Sequence, residues 1–220
     1  QLVVMLVTSL LCGLAGGAIN GALINWGRIP PFIATLGTFS IFRSLAVYQA
    51  DAGLIMVDNM WLEKICGGWT PVVVLLVVAG ALAHLLRNTP LGWRICAVGA
   101  GERTASYAAI NVRLVRFATY AIIGTLCGVS AFLLAGRLSS ISSTGSGTNY
   151  ELDAIAAVII GGTPMTGGRA SVWGTLAGVF ILGIISNILD LWSISANLQG
   201  TVKGLVIIMA VLFQFQKRRG

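Results

Sequence analysis

The chain has 220 residues, of which 56% are hydrophobic and only 10% charged. Soluble domains carry about 25% charged residues, so this composition excludes a soluble globular protein. Fourteen Lys and Arg against seven Asp and Glu leave a net charge of +7. That surplus does not point to nucleic acid, because the basic residues sit at the ends of apolar spans and are not interleaved with stacking aromatics.

Seven apolar segments follow in order: approximately 2–25, 31–50, 70–86, 117–136, 152–162, 172–189 and 200–216. A bilayer core of roughly 30 Å needs about 20 helical residues, so five or six of them can cross. The expected fold is all-α, a polytopic transmembrane helical bundle with short or broken helices. Residues 1–220 read as a single membrane domain, with a basic loop at 87–116 and no separate soluble domain.

The first segment carries Gly13, Gly17 and Gly21 on one helix face. Gly124 with Gly128, Gly174 with Gly178 and Gly200 with Gly204 repeat the spacing. Such small-residue faces let backbones approach closely, which predicts internal helix packing. Asn20 and Asn25 can hydrogen-bond across helices or line a polar path. In the second segment Thr35 and Thr38 are cheap to bury, since their hydroxyls can bond the preceding turn. Arg43 lies in the same segment, where a central Arg costs roughly 2.5–3.5 kcal/mol. It must pair, face water or snorkel. Lys203 enters the last segment, where snorkelling accounts for it.

The 87–116 loop holds five arginines and one acid, Glu102. Lys and Arg near span ends stay on the cytoplasmic side. With a cytoplasmic C-terminus, the inner loops hold ten basic residues: Arg28, Arg87, Arg94, Arg103, Arg113, Arg116, Arg169, Lys217, Arg218 and Arg219. The outer loops hold two, Lys64 and Arg137. Asp51, Asp58, Glu63, Glu151, Asp153 and Asp190 all fall toward the outer side. Seven crossings then place Gln1 outside. The chain enters a span at once, without a signal peptide's basic region or cleavage site, and reads as the C-terminal part of a longer protein.

Segment 152–162 is too short to cross alone and runs into Gly161, Gly162, Thr163, Pro164, Gly167 and Gly168. Irregular backbone at membrane depth is tolerated only inside protein or along a watery cavity. Short, Gly/Pro-interrupted spans therefore point to a translocation path. An ordinary cytoplasmic turn after a short helix is the other reading.

Several chemistries are missing. The stretch 162–169 has glycines like a phosphate loop, but Gly168 and Arg169 stand where Lys and Ser/Thr would be needed. His84 has no neighbouring ligands and reads as an interfacial residue, so no metal site is expected. Cys12, Cys66, Cys96 and Cys127 show no paired spacing; Cys66 falls in a loop. No Ser/His/Asp set can be assembled, so the chain does not read as an enzyme. A coupled secondary transporter commonly needs an intramembrane carboxylate, and the acids here lie in loops or near span ends. A secondary transporter or channel for a small polar solute is thus the weaker alternative.

Three stretches carry a resemblance. Residues 150–189, YELDAIAAVIIGGTPMTGGRASVWGTLAGVFILGIISNIL, resemble the C-terminal signature of permease subunits of bacterial sugar ABC importers. Residues 27–46, GRIPPFIATLGTFSIFRSLA, resemble that family's earlier signature. The loop TPLGWRICAVGAGERTASYAAINV, 89–112, is similar to its cytoplasmic coupling loop. Glu102–Arg103 replaces part of the usual Asn-Glu step, and Ala108–Ala109 stands where Ser-Gly is common.

The resemblance implies about ten spans in the complete protein and import of a monosaccharide or similar small polyol. It implies a cytoplasmic ABC ATPase that holds the ATP and Mg, a periplasmic sugar-binding protein, and a second permease chain as homodimer or heterodimer. This chain would bind no cofactor of its own and would lie in the bacterial inner membrane. Its substrate path is expected along Asn20, Thr35, Thr38, Arg43, Gly161, Gly162, Thr163 and Asn187. The coupling residues are expected to be Gly99, Gly101, Glu102, Arg103, Ala105, Ala108, Ile110 and Asn111. In that loop Gly99 and Gly101 would shape a turn, and Thr104–Ile110 would form a short amphipathic piece.

Overall fold

The computed structural model describes residues 2–57, 60–193, 198–202 and 204–206. Most of the expected segment 200–216 lies outside these residues, as do Asp58, Lys203, Lys217, Arg218 and Arg219. Among the described residues five helices are long and apolar enough to cross a membrane. They are α1 (Leu2–Asn25), α2 (Pro31–Gln49), α4 (Thr70–Asn88), α7 (Val112–Leu138) and α9 (Val172–Leu191). Their outward faces are apolar, with Val3, Phe32, Val77 and Ile184 among the exposed side chains. This is the surface that lipid or other membrane helices cover.

Shorter elements fill the connections: α3 (Met60–Cys66), α5 (Pro90–Ala100), α6 (Glu102–Tyr107) and α8 (Tyr150–Ile160). A two-stranded antiparallel ribbon joins β1 (Leu54–Met56) to β2 (Ser140–Ser142), with Ile55 opposite Ile141. The ribbon is the one departure from an all-helical chain among these residues. The chain forms two compact units, residues 1–77 with 106–146, and residues 78–105 with 147–220.

The first unit is built on α1 and α7, which pack antiparallel through bare backbone. A methyl group on Gly13 would strike the carbonyl oxygen of Gly124, and one on Gly17 that of Tyr120. A methyl group on Gly128 would meet the carbonyl of Ser9. The expected faces of Gly13–Gly17–Gly21 and Gly124–Gly128 are therefore an internal helix interface, whereas the expected pair Gly200 and Gly204 meets nothing within 4 Å. Asn25 closes one end of it, donating from Nδ2 to the Arg113 carbonyl at 3.0 Å. Thr38 donates to Asn20 Oδ1 at 2.7 Å and so ties α2 to α1.

The other end of α1–α7 carries a small core of Leu62, Cys66 and Phe132, flanked by Leu2, Met5 and Leu6. Cys66 thus belongs to helix α3 rather than a loop, and its side chain sits against Gly136. Burial pushes the Cys66 thiol up, which keeps it protonated and poorly reactive. The ribbon extends this end: Val57 N donates to Ser139 O at 2.9 Å, and Ser143 Oγ to Gly53 O at 3.1 Å.

In the second unit α8 and α9 form an antiparallel hairpin. Gly161 faces Gly174, and Gly178 faces the Ala157 carbonyl. Ala156, Ala157 and Leu182 make its core, with Ile160 and Val206 packed against them. A Leu at position 124 should therefore force α1 from α7. Overpacking of this kind costs about 1–3 kcal/mol. We expect Gly124→Leu to lower the thermal unfolding temperature in detergent, and Gly80→Ala, whose added methyl group meets nothing within 4 Å, to leave it unchanged.

Candidate functional site

The basic connection begins at a corner. Thr89 donates from Oγ1 to the Leu85 carbonyl at 2.6 Å and accepts from Gly92 N at 3.2 Å. It thereby ends α4 and caps α5 at once, and Pro90 opens α5 where no N–H is missed. A methyl group on Gly92 would collide with the backbone of Leu85 and Leu86. The sequence Thr-Pro-Leu-Gly is thus a tight helix–helix corner.

Beyond α5 the backbone at Gly101 is extended, with φ 177°, a conformation open to any residue. Gly99 lies within α5, so neither glycine is required by a turn. Helix α6 starts at Glu102 and stops at Tyr107, earlier than the expected 104–110 piece. Ala109 then takes φ 58°, and Asn111 caps α7 by accepting from Leu114 N at 3.2 Å. Ala105 is buried at 3% exposure, Ile110 is half-buried, and Glu102, Arg103 and Ala108 are exposed. Tyr107 is 90% exposed in the first unit and Trp93 70% exposed in the second, two aromatics of this connection that sequence reasoning missed. Nothing in their spacing distinguishes them from buried aromatics.

The loop after α8 is ordered by hydrogen bonds. Gly162 N donates to Ile159 O at 2.9 Å and Thr163 N to Val158 O at 3.2 Å. This is a Schellman end, and Gly162 supplies its left-handed residue with φ 81°. Thr163 Oγ1 accepts from Ser171 N at 3.3 Å and draws the two ends of the loop together. Ser171 caps α9 by accepting from Gly174 N at 3.1 Å. Pro164 O and Gly167 N close a turn at 3.1 Å, with Met165 69% exposed at its tip. Gly167 and Gly168 pack on Gly99 and Ala100. Ala100, residues 162–164 and residues 166–171 line an open concavity of about 1120 Å³.

The other polar candidates lie elsewhere. Thr38 is buried against Asn20, and Thr35 Oγ1 bonds back to Pro31 O at 2.9 Å. Arg43 reaches the Thr144 carbonyl beside the ribbon, so its guanidinium has a backbone partner near the end of α2. Asn187 is exposed on α9. Asn20, Thr35, Thr38 and Arg43 belong to the first unit; Gly161, Gly162, Thr163 and Asn187 belong to the second. His84 Nδ1 lies 3.0 Å from Asn88 Nδ2, and no group of three metal-binding side chains occurs among the described residues.

The family model for the permease component of branched-chain amino acid transport systems matches residues 1–211. The ribose import permease protein RbsC of Bacillus subtilis (strain 168) is 38% identical over 205 residues, covering 90% of this chain and 63% of the relative. RbsC of Escherichia coli (strain K12) is 35% identical over 224 residues, covering 98% and 70%. The D-allose transport system permease protein AlsC of the same strain is 34% identical over 211 residues, covering 94% and 64%. The chain therefore spans about two thirds of the length of the curated relatives it matches. No solved structure matches it. The chain belongs to this permease family.

The backbone geometry separates the loop glycines. Gly162→Ala should lower stability by about 1–2 kcal/mol, the cost of a side chain in left-handed backbone. Gly101→Ala should cost nothing measurable, since φ 177° is extended. Thermal unfolding of both variants in detergent checks the contrast.

Proposed function

We propose that this chain is the membrane permease subunit of an ATP-driven importer for a monosaccharide or similar small polyol. The observation that carries the reading is identity of 34–38% to permeases named for ribose and allose, over at least 90% of the chain. The family model is described for branched-chain amino acids, but these relatives favour a neutral, polyhydroxylated cargo. Such a cargo asks for hydrogen-bonding groups and small apolar walls, not ion-selective charge.

Under this reading the Arg87–Arg116 connection faces the cytoplasm and meets a soluble ABC ATPase, which holds the nucleotide and its Mg. Glu102 and Arg103 supply rim charges, and exposed Tyr107 supplies an aromatic anchor of the kind that dominates binding energy. The rigid Thr89–Gly92 corner supports this role, because a docking surface must move as a body to pass on a push. Gln1 lies outside and the C-terminus inside the bacterial inner membrane. The ribbon, at the opposite ends of the spans, faces a periplasmic binding protein that delivers the sugar. A second permease chain completes the path. Asn20 and Thr38 are the polar groups we assign to the path in α1 and α2, and Gly161, Gly162, Thr163 and Asn187 those in α8–α9.

Reconstitution in proteoliposomes with the neighbouring ATPase and binding protein tests the function. We expect uptake of a labelled pentose or hexose that requires ATP, and ATP hydrolysis that rises on adding the loaded binding protein. Uptake driven by a proton or sodium gradient without ATP would establish a secondary transporter instead.

A further inference from the structure

Gly99 is a glycine that no turn requires. A Cβ built on it would lie 3.0 Å from Gly168 N, and one on Gly168 would lie 3.1 Å from Ala100 Cα and Cβ. A methyl group on Gly167 would run into the Gly99 carbonyl. The last turn of α5 and the α8–α9 loop therefore meet backbone to backbone, with the rotamer-free Ala100 methyl group beside Gly168. A flexible side chain at such a contact could change rotamer and absorb a small displacement. Two close-packed backbones cannot, so a shift on one side appears on the other.

The loop is equally stiff toward the hairpin. The Schellman bonds fix its start to α8, the Ser171 cap fixes its end to α9, and Thr163 with Ser171 closes its base. Gly161 against Gly174 and Gly178 against Ala157 then hold α8 and α9 as one body. The links from the end of α5 to the start of α9 are thus close backbone contacts, the Ala100 methyl group and hydrogen bonds of 2.9–3.3 Å.

We infer that Gly99, Gly167 and Gly168 form the joint through which movement of α5 is carried into the α8–α9 hairpin. They act as positioning residues for transport, and Gly99 faces inward to the joint rather than outward to a partner. The inference rests on the reading above, in which the Arg87–Arg116 connection, with α5 in it, receives the ATPase.

The test uses the full complex with ATPase and binding protein in proteoliposomes. Gly99→Ala and Gly99→Val form a graded series. Gly183→Ala on α9 is the control, since position 183 opens onto empty space. We expect Gly99→Val to copurify with the ATPase and keep stimulated ATP hydrolysis, while sugar taken up per ATP falls roughly tenfold, with Gly99→Ala between. Hydrolysis and uptake falling in equal proportion, or neither falling, would overturn the joint. A second measurement does not depend on those variants folding. Spin labels at Arg94→Cys on α5 and Ile184→Cys on α9 should keep a constant separation through the nucleotide cycle. A separation that changes with nucleotide would show that the two move independently and would overturn the inference. Absence of ATP-driven uptake in the wild-type complex would instead contradict the proposed function, which the label distance does not read.

Discussion

Two helices in lipid gain little by burying apolar side chains against each other, because lipid tails are as apolar as the side chains. What remains is close van der Waals contact and hydrogen bonding, and both grow as backbones approach. That constraint shapes this chain at every level. Gly13, Gly17, Gly124 and Gly128 bring α1 and α7 together; Gly161, Gly174 and Gly178 do the same for α8 and α9. Gly92 folds α5 back on α4, and Gly99 seats the α8–α9 loop on α5. At such distances Cα–H groups can face carbonyl oxygens, adding about 0.5–1 kcal/mol per contact.

Polar side chains then fix what the glycines bring near. Asn25 holds the Arg113 carbonyl, Thr38 holds Asn20, and Arg43 holds the Thr144 carbonyl. Asn25 sits at the end of the α1–α7 glycine interface, while Thr38 and Arg43 tie α2 to α1 and to the loop after the ribbon. Interhelical hydrogen bonds in membranes contribute about 0.6–2 kcal/mol each, enough to set register while the close contacts supply adhesion. Arg43 illustrates the economy of the arrangement. Read alone it is a costly charge in an apolar run, but six residues before the end of α2 it reaches backbone at the ribbon.

Spans and glycine faces were legible because they follow from periodicity and composition. Residues 2–25, 31–50, 70–86 and 172–189 agree with α1, α2, α4 and α9 to within a few residues. Helix α7 begins earlier than its apolar run, at Val112, because Asn111 caps a basic turn that hydropathy alone excludes. The ribbon was not legible: Leu54–Met56 and Ser140–Ser142 are three residues each and lie far apart in sequence. Nor was α3, where the packing of Leu62 and Cys66 against Phe132 and Gly136 makes a helix of a loop-like stretch. In the candidate site the turn expected at Gly99 and Gly101 stands instead at the Thr89–Pro90 corner, where the Thr89 cap opens α5. The exposure of Tyr107 and the packing of Gly99 against Gly168 were not legible, because both depend on neighbours distant in the chain.

The proposed importer depends on the Arg87–Arg116 connection being the cytoplasmic face that meets an ATPase. Cysteine chemistry at Ser106 and Thr148, in a chain lacking its native cysteines, tests it most directly. Ser106→Cys should be shielded from an impermeant maleimide in intact cells and should crosslink to the ATPase in an assembled, ATP-hydrolysing complex, while Thr148→Cys should label from outside. Labelling of Ser106→Cys from outside, or its failure to crosslink in a working complex, would contradict the account.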